Sequence, residues 1–356
     1  VEAATQAVDE AKLEEAIGQA VSDAGAALNG ALVMLGGELG LWKALAGAGP
    51  STAAEVAERS GVRERYVREW LAAEAASGYL EYDPEADAFT LPPEQAMIFA
   101  DEESPVFLLG GYRIVSSAFK DRPRIEQRFR AGEGFGWHEH DPDLFAGTEQ
   151  FFRPGYRAHL VAEWIPALEG VEEKLRAGAR VADVGCGHGV SSALIAKAFP
   201  QSSVHGFDYH ESSIERAREL AREEGVDNVE YAVAAAKDFP GDGYDLVCFF
   251  DCLHDMGDPV GAMAHVREAL ADDGTVMLVE PRAADSLEGN LNPVGRMFYA
   301  ASTLLCTPNS LDQEVALGLG AQAGEARLRA VAEEAGFSRF RRATETPFNL
   351  VLEARP

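Results

Sequence analysis

Long apolar runs are missing from this chain. No hydrophobic stretch reaches the roughly 18–20 residues needed to cross a bilayer, which excludes a helical membrane span. Cysteine is sparse: four residues, Cys186, Cys248, Cys252 and Cys306, all lie in the C-terminal half. Two of them fall inside apolar strand-like segments, which fits reduced core thiols rather than a disulfide framework. Positive charge is also short, with 31 bases against 59 acids and a formal net charge of −28. Such a surface repels nucleic acid and anionic membrane. The start, Val1-Glu2-Ala3-Ala4, lacks the basic segment of a secretion signal, so the expected location is cytoplasmic. What is present is a chain of 356 residues with 47% hydrophobic content, enough for two domains with substantial cores.

The N-terminal half reads as helical. Residues 6–27 and Ala31 to Leu45 form two amphipathic patterns. Thr52 and Glu55 spell a capping box for a short helix ending near Ser60-Gly61. A second helix follows, with Tyr66, Val67, Trp70 and Leu71 on one face, and stops at Ser77-Gly78. Tyr79 to Tyr82 and Ala88 to Leu91 then flank the turn Asp83-Pro84-Glu85 as a small hairpin. Two helices and a hairpin in that order make a winged helix. A DNA-binding wing needs bases for phosphates, whereas this one carries Glu81, Asp83, Glu85 and Asp87. Arg63, Arg65 and Arg68 are likewise offset by Glu64, Glu69 and Glu74. A ligand-sensing regulator is thus the weaker reading, and a homodimer through apolar helix faces the stronger. Between about 95 and 175 no α/β alternation appears. Grouped aromatics there suit a substrate chamber, and Gly132-Glu133-Gly134-Phe135-Gly136-Trp137-His138-Glu139-His140 suits a lid. The expected division is 1–95, 96–175 and 176–356.

The C-terminal part carries the chemistry. Val181-Ala182-Asp183-Val184-Gly185-Cys186-Gly187-His188-Gly189 joins a buried strand to a glycine-punctuated turn and a helix. Glycines at alternating positions allow positive φ and close approach of a nucleotide-like ligand. A second strand, Ser203 to Phe207, ends in Asp208, where a carboxylate can accept hydrogen bonds from both ribose hydroxyls. Asn228 to Val233, Tyr244 to Phe250 and Thr275 to Val279 supply three more strands. Helical patterns at about 190–198, 211–224 and 259–270 alternate with them, the βαβ rhythm of a doubly wound parallel sheet. His254 lies just past the fourth strand, at the edge where open α/β sheets bind ligands, and imidazole titrates near neutrality. Glu280 ends the neighbouring strand, about 4.8 Å away, close enough to orient that imidazole.

The D-x-G-x-G-x-G spacing resembles the first motif of class I methyltransferases, whose cofactor is S-adenosylmethionine. That resemblance implies a Rossmann-like seven-stranded domain behind the winged helix, with S-adenosylhomocysteine as product. It also implies cofactor contacts from Asp183, Gly185, Cys186, Gly187 and Gly189 at the methionine end, and from Asp208 and Tyr209 at the ribose. Lys237, Asp238 and Phe239 would hold adenine, with Phe250 and Asp251 flanking the site. Leu253-His254-Asp255-Met256-Gly257-Asp258 is similar to the L-H-D-W-x-D segment of small-molecule O-methyltransferases with a winged-helix dimerisation domain. In that family the histidine is the general base, and Val279-Glu280-Pro281 matches the segment whose glutamate orients it. Met256 replaces the usual tryptophan, and Gln322 stands near the place of a second orienting glutamate. Phe151-Phe152-Arg153-Pro154-Gly155-Tyr156 resembles the bacterial branch. Phe152, Tyr156, Phe298, Tyr299 and Cys306 are then placed to line the acceptor chamber. Some relatives methylate α-keto acids on carbon with a metal held by this H-D pair. Here the ligands would be His254, Asp255 and, in place of a histidine, Cys306, a set suited to zinc or iron. His254 would then be a ligand and not a base.

Overall fold

A computed structural model describes residues 8–356, and the chain divides into two compact units, one up to Ser116 and one from Ser117 to Pro356. Residues 96–116, expected to belong to the chamber region, cluster with the first unit.

The first unit comprises α1 (Glu10–Glu38), α2 (Leu41–Leu45), α3 (Ala53–Ser60), α4 (Glu64–Ala76), the hairpin β1 (Glu81–Asp83) and β2 (Ala88–Thr90), and α5 (Pro93–Phe99). The two helices expected over 6–27 and 31–45 are one long helix followed by a short one. Leu28-Asn29-Gly30 looks like a break, but Asn29 donates to buried Glu74 at 3.0 Å and Gly30 lies under the Tyr112 ring, so packing carries the helix through. It ends instead at Gly40, whose φ of 69° is left-handed. The part of the expected pattern before Val8 lies outside the described residues. Thr52 and Glu55 do form the reciprocal capping box.

The core of this unit is built on two indoles. Trp42 stacks on Phe99 with ring centres 4.6 Å apart and meets Trp70 edge-on at 4.7 Å. The Trp42 and Trp70 ring N–H groups donate to the Val33 and Leu32 carbonyls of α1, at 3.0 and 2.9 Å, which fixes both rings against that helix. A β-carbon on Gly36 would stand 2.4 Å from Trp42 Nε1 and 2.6 Å from Trp70 Cζ2. Gly36→Ala should therefore destabilise the unit, because overpacking costs about 1–3 kcal/mol against a helix-propensity gain of about 1 kcal/mol. Gly25, in the same helix, has nothing within 4 Å of the added carbon, so Gly25→Ala should leave stability unchanged or raise it. Thermal melts should place Gly36→Ala below the wild type and Gly25→Ala at or above it. The α4 arginines are engaged by acids, Arg65 with Glu69 at 2.6 Å and Arg68 with Asp87 at 3.1 Å.

Helix α6 (Leu109–Ala131) contains the division between the units, and α7 (Asp143–His159) and α8 (Val171–Ala177) follow. Then come β3 (Arg180–Val184), α9 (Val190–Ala198), β4 (Ser203–Asp208), α10 (Glu211–Glu223), β5 (Val229–Val233) and β6 (Tyr244–Phe250). The chain continues through α11 (Pro259–Ala269), β7 (Leu270–Pro281), α12 (Pro293–Ala301), α13 (Thr307–Asp312), α14 (Gly324–Glu334), β8 (Arg339–Glu345) and β9 (Asn349–Arg355). The sheet order is β5-β4-β3-β6-β7-β9-β8, parallel except that β9 runs antiparallel to both neighbours. The chain leaves β3 in one direction and returns to β6 on its other side, so a crevice opens between their C-terminal ends.

Strand β6 shows why the sheet is buried on both faces. Tyr244, Val247 and Phe249 pack with Met263, Val266, Leu328 and Val331 from α11 and α14. Leu246, Cys248 and Phe250 pack with Leu160, Trp164, Leu175 and Ile195 on the opposite side. Alternate residues point to opposite faces, so a strand covered on both sides must be apolar throughout.

Candidate active site

Asp183, Asp208, Asp251 and Glu280 all stand at or just beyond the C-terminal ends of β3, β4, β6 and β7. The turn after β3 needs its glycines: φ is 75° at Gly185, 53° at Gly187 and 77° at Gly189. A β-carbon on Gly185 would lie 2.8 Å from Cys252 Sγ, and one on Gly189 2.6 Å from the Tyr231 hydroxyl. Gly187 differs, since an added carbon there meets nothing within 4 Å, which leaves open space over the turn. Asp208 braces the loop by accepting from Gly187 N and from His210 N, both at 2.9 Å. Each of its oxygens keeps a lone pair for a further donor.

Asp183 is fully buried and accepts from the Ser191 and Ser192 hydroxyls, both 2.6 Å from Oδ2. Its Oδ1 is buried with no partner, and burial raises the carboxyl pKa to about 6 against the pull of the two serines. An orphaned buried acceptor beside an open glycine turn fits a ligand with a cationic or N–H donor group.

His254 sits in a short turn, Leu253–Asp255, and is 4% exposed. Its Nδ1 lies 2.6 Å from Glu280 Oε2, while Glu280 Oε1 accepts from Leu253 N at 3.0 Å. The carboxylate thus holds both the ring and the peptide that carries it. Nε2 faces Cys306 Sγ at 3.3 Å. Burial disfavours the imidazolium, but the adjacent Glu280 and Cys306 outweigh it, and the pKa is held well above its ordinary value. The next residue, Asp255, is raised to about 7 by burial, opposed by His254.

Asp251 is one of the few non-glycine residues with positive φ, at 51°. Its two oxygens accept from the Tyr156 hydroxyl at 2.9 Å and from Asn349 Nδ2 at 2.8 Å. Burial and then Glu280 raise its pKa to about 8. The strained backbone turns the chain out of β6 toward His254, and the side chain ties that turn to α7 and β9. Asp251, expected to flank the cofactor site, thus stands at the crevice end of β6 with one protein donor on each carboxylate oxygen.

The other expected positions have varied surroundings. Phe239 is 1% exposed, stacked on Phe207 at 5.1 Å and edge-on to His265 at 4.5 Å, which makes it part of the core. Lys237 directs its ammonium to Asp258 and Glu314, at 3.2 and 2.8 Å. Asp238 is exposed and accepts from Ala235 N at 3.2 Å. Phe250 is buried against Tyr156, with ring centres 5.3 Å apart, and Cys186 is buried beside the turn. Tyr209 is exposed, its ring 6.4 Å from that of His138. Among the chamber candidates, Phe152 stacks on Tyr156 at 5.7 Å, Phe298 is buried and Tyr299 half-buried.

The metal reading does not assemble. His254 and Cys306 meet, but among the described residues no group of three histidine, cysteine or acidic side chains is arranged to hold a metal ion, so Asp255 does not complete the set. His140 Nδ1 lies 2.9 Å from Asp121 Oδ2.

The glycine-rich strap is not free. Phe135 N donates to Pro308 O at 2.9 Å, and Trp137 N to Asn309 Oδ1 at 2.9 Å, which seats it on α13. Residues that sequence reasoning missed include Ser191, Ser192 and Asn349. Two serines in the first turn of the helix after the glycines are a usable signal; Asn349, 98 residues from Asp251, gives none.

Comparison with known proteins agrees with this geometry. A family model described as a methyltransferase domain matches residues 175–336, and one described as an Rv2258c-like winged HTH domain matches residues 26–100. Aklanonic acid methyltransferase DauC of Streptomyces sp. (strain C5) is 36% identical over 107 residues, 29% of this chain and 49% of that protein. The chain thus spans about half the length of that curated relative. Mitomycin 7-O-methyltransferase MmcR superposes with a TM-score of 0.69 at 22% identity, over 98% of this chain and 99% of that one. The O-methyltransferase NcsB1 from neocarzinostatin biosynthesis, solved with S-adenosylmethionine and 2-hydroxy-5-methyl naphthoic acid, gives 0.59 at 16% identity, over 92% and 95%. The chain thus joins an Rv2258c-like winged helix-turn-helix domain to a Rossmann-like methyltransferase domain.

Proposed function

We propose that this protein transfers the methyl group of S-adenosylmethionine to a hydroxyl oxygen of a small organic acceptor, with His254 as the general base. The observation that carries this reading is the Glu280–His254 pair at 2.6 Å, set at the crevice edge beside the glycine turn. The bound cofactor supplies an electrophilic methyl group; the chain supplies alignment and a proton acceptor. Gly185, Gly187 and Gly189 shape the turn, and Asp183 Oδ1 receives a donor from the methionine end. Asp208 accepts from the ribose hydroxyls, flanked by Tyr209, and Asp238 accepts from the exocyclic amine of adenine. Glu280 keeps the Nδ1–H tautomer of His254, so Nε2 is the nitrogen that takes the acceptor's proton. Phe152, Tyr156, Phe298 and Tyr299 form apolar walls suited to a flat, aromatic acceptor, and their aromatic faces exclude water from the transfer.

Titration of the full chain with S-adenosylhomocysteine in a calorimeter tests the first half of this reading. One site per chain is expected, and no heat of binding across the micromolar range would sink it.

We also propose that the active form is a homodimer built through α1. Leu13, Ile17, Val21 and Leu28 are between 48% and 77% exposed, and their spacing puts all four on one stripe of the helix. Such a stripe is costly to leave in water. Sedimentation velocity should show two chains per particle, and the double variant Ile17→Asp, Val21→Asp should sediment as one. A wild-type monomer at micromolar concentration removes the proposal.

A further inference from the structure

The reaction proposed above leaves one chemically active group without a role. Glu280 occupies Nδ1 of His254, so an acceptor can lose its proton only to Nε2. That nitrogen already has a neighbour, Cys306 Sγ at 3.3 Å. The thiol therefore stands where an acceptor's reacting atom must come, and sulfur is a better nucleophile than a hydroxyl oxygen. Carboxylate, imidazole and thiol are in the order that activates nucleophilic cysteines elsewhere in protein chemistry.

The contact is held by the surrounding backbone and not by the two side chains alone. A π-helical turn, Ser302–Cys306, ends at the thiol, and single π turns are frequent at functional positions. On one side Asn309 Nδ2 donates to Asp255 O at 3.0 Å and the Ser310 hydroxyl to Met256 O at 2.9 Å. On the other, Gly320 N donates to His254 O at 3.1 Å, and Ala321 N to the Ser302 hydroxyl at 3.0 Å. The segment bearing Cys306 and the turn bearing His254 are thus cross-tied at both ends.

The remaining thiols are set differently. Cys252 Sγ lies 3.2 Å from Val184 O, Cys186 Sγ lies 3.9 Å from Gly187 O, and Cys248 is in the core. Burial pushes all three thiols up, away from the reactive thiolate form.

We propose that Cys306 is itself a methyl acceptor: when no small-molecule acceptor is bound, its thiol is methylated by S-adenosylmethionine with His254 as the base. The proposal rests on the reading of His254 as a base beside a sulfonium cofactor. The Cys306 S–H bond breaks and its proton passes to His254 Nε2. The thiolate electron pair then forms a new bond to the methyl carbon, and the old carbon–sulfur bond breaks with its electrons returning to the cofactor sulfur. The products are a Cys306 methyl thioether and S-adenosylhomocysteine, and no other reactant is needed. The thioether stays beside Nε2 and can no longer be deprotonated, so acceptor turnover is lost in the modified fraction. A bound acceptor, by taking the same place at Nε2, protects the thiol.

The test uses the full chain and S-adenosylmethionine carrying a deuterated methyl group. Peptide mass spectrometry should find one deuterated methyl on Cys306, and none on Cys186, Cys248 or Cys252. The label should be absent in Cys306→Ala and at least tenfold slower in His254→Gln, and excess S-adenosylhomocysteine should suppress it. In cofactor-free protein, iodoacetamide should alkylate Cys306 at least tenfold faster than the other three cysteines, an advantage lost in His254→Gln. Calorimetric binding of S-adenosylmethionine with no label on Cys306 overturns the proposal and leaves the methyltransferase reading intact. Absence of binding overturns both.

Discussion

Replacing His254 by alanine should lower turnover at least about 100-fold while leaving S-adenosylmethionine affinity within a few-fold. A positioned base contributes about 10²–10⁴ in rate, whereas aligning the reactants contributes about 7–11 kcal/mol. The variant therefore keeps measurable activity, since the alignment belongs to other residues. Glu280, 1% exposed and 2.6 Å from Nδ1, makes the imidazole more basic as well as better oriented. The sign of the pH dependence follows. With its pKa held above the ordinary value by Glu280 and Cys306, the ring gives up its proton at a higher pH than a free imidazole does. The base form grows as pH rises, so kcat/KM should climb from neutral into alkaline pH rather than level off near 6.5. Glu280→Gln removes the charge that raises the pKa, so the profile should move to lower pH and its plateau should fall. Retained turnover in His254→Ala with a verified acceptor, or a pH profile unmoved by Glu280→Gln, would refute the assignment.

The second large effect should come from Asp208→Ala, measured as binding and not as rate. If the carboxylate accepts from two ribose hydroxyls, its loss removes charge-assisted hydrogen bonds with a combined value of about 2–4 kcal/mol. That corresponds to roughly 30- to 700-fold in Kd. Asp208 also braces Gly187 N and His210 N, so the glycine turn loosens when it is removed. Asp238→Ala is the natural comparison, because Asp238 is exposed and closes only its own local turn. It should weaken binding by less than Asp208→Ala. A calorimetric titration in which Asp208→Ala binds S-adenosylhomocysteine as tightly as wild type would show that the ribose lies elsewhere.

Much of the fold was readable because it depends on short-range patterns. The strand–glycine–helix unit, the five parallel strands and the capping box of α3 all rest on spacing within about ten residues. So does the placement of His254 and Glu280, each at the end of an apolar run whose length marks a buried strand. Single helices over 10–38 were harder to recognise, because Asn29 and Gly30 have turn chemistry locally and are held helical by Glu74 and Tyr112, far away in the chain.

Side-chain placement shows the same dependence on distant contacts. The Phe239 side chain turns inward onto Phe207 and His265, where burial of an aromatic ring is favourable. Asp251 takes its protein donors, Tyr156 and Asn349, from α7 and β9, almost 100 residues away on either side. Lys237 finds Asp258 and Glu314 for the same reason: an ammonium pairs with whatever carboxylates folding brings within reach.

Periodicity and glycine spacing therefore carried the architecture, the glycine turn after β3 and the placement of His254 beside Glu280, since backbone hydrogen bonding and side-chain alternation are local and repeat along the chain. Which face of His254 is open, what meets it there, and which acids are already engaged were settled by contacts across tens to hundreds of residues. Close packing lets each buried polar atom take only the partner that the assembled fold places beside it.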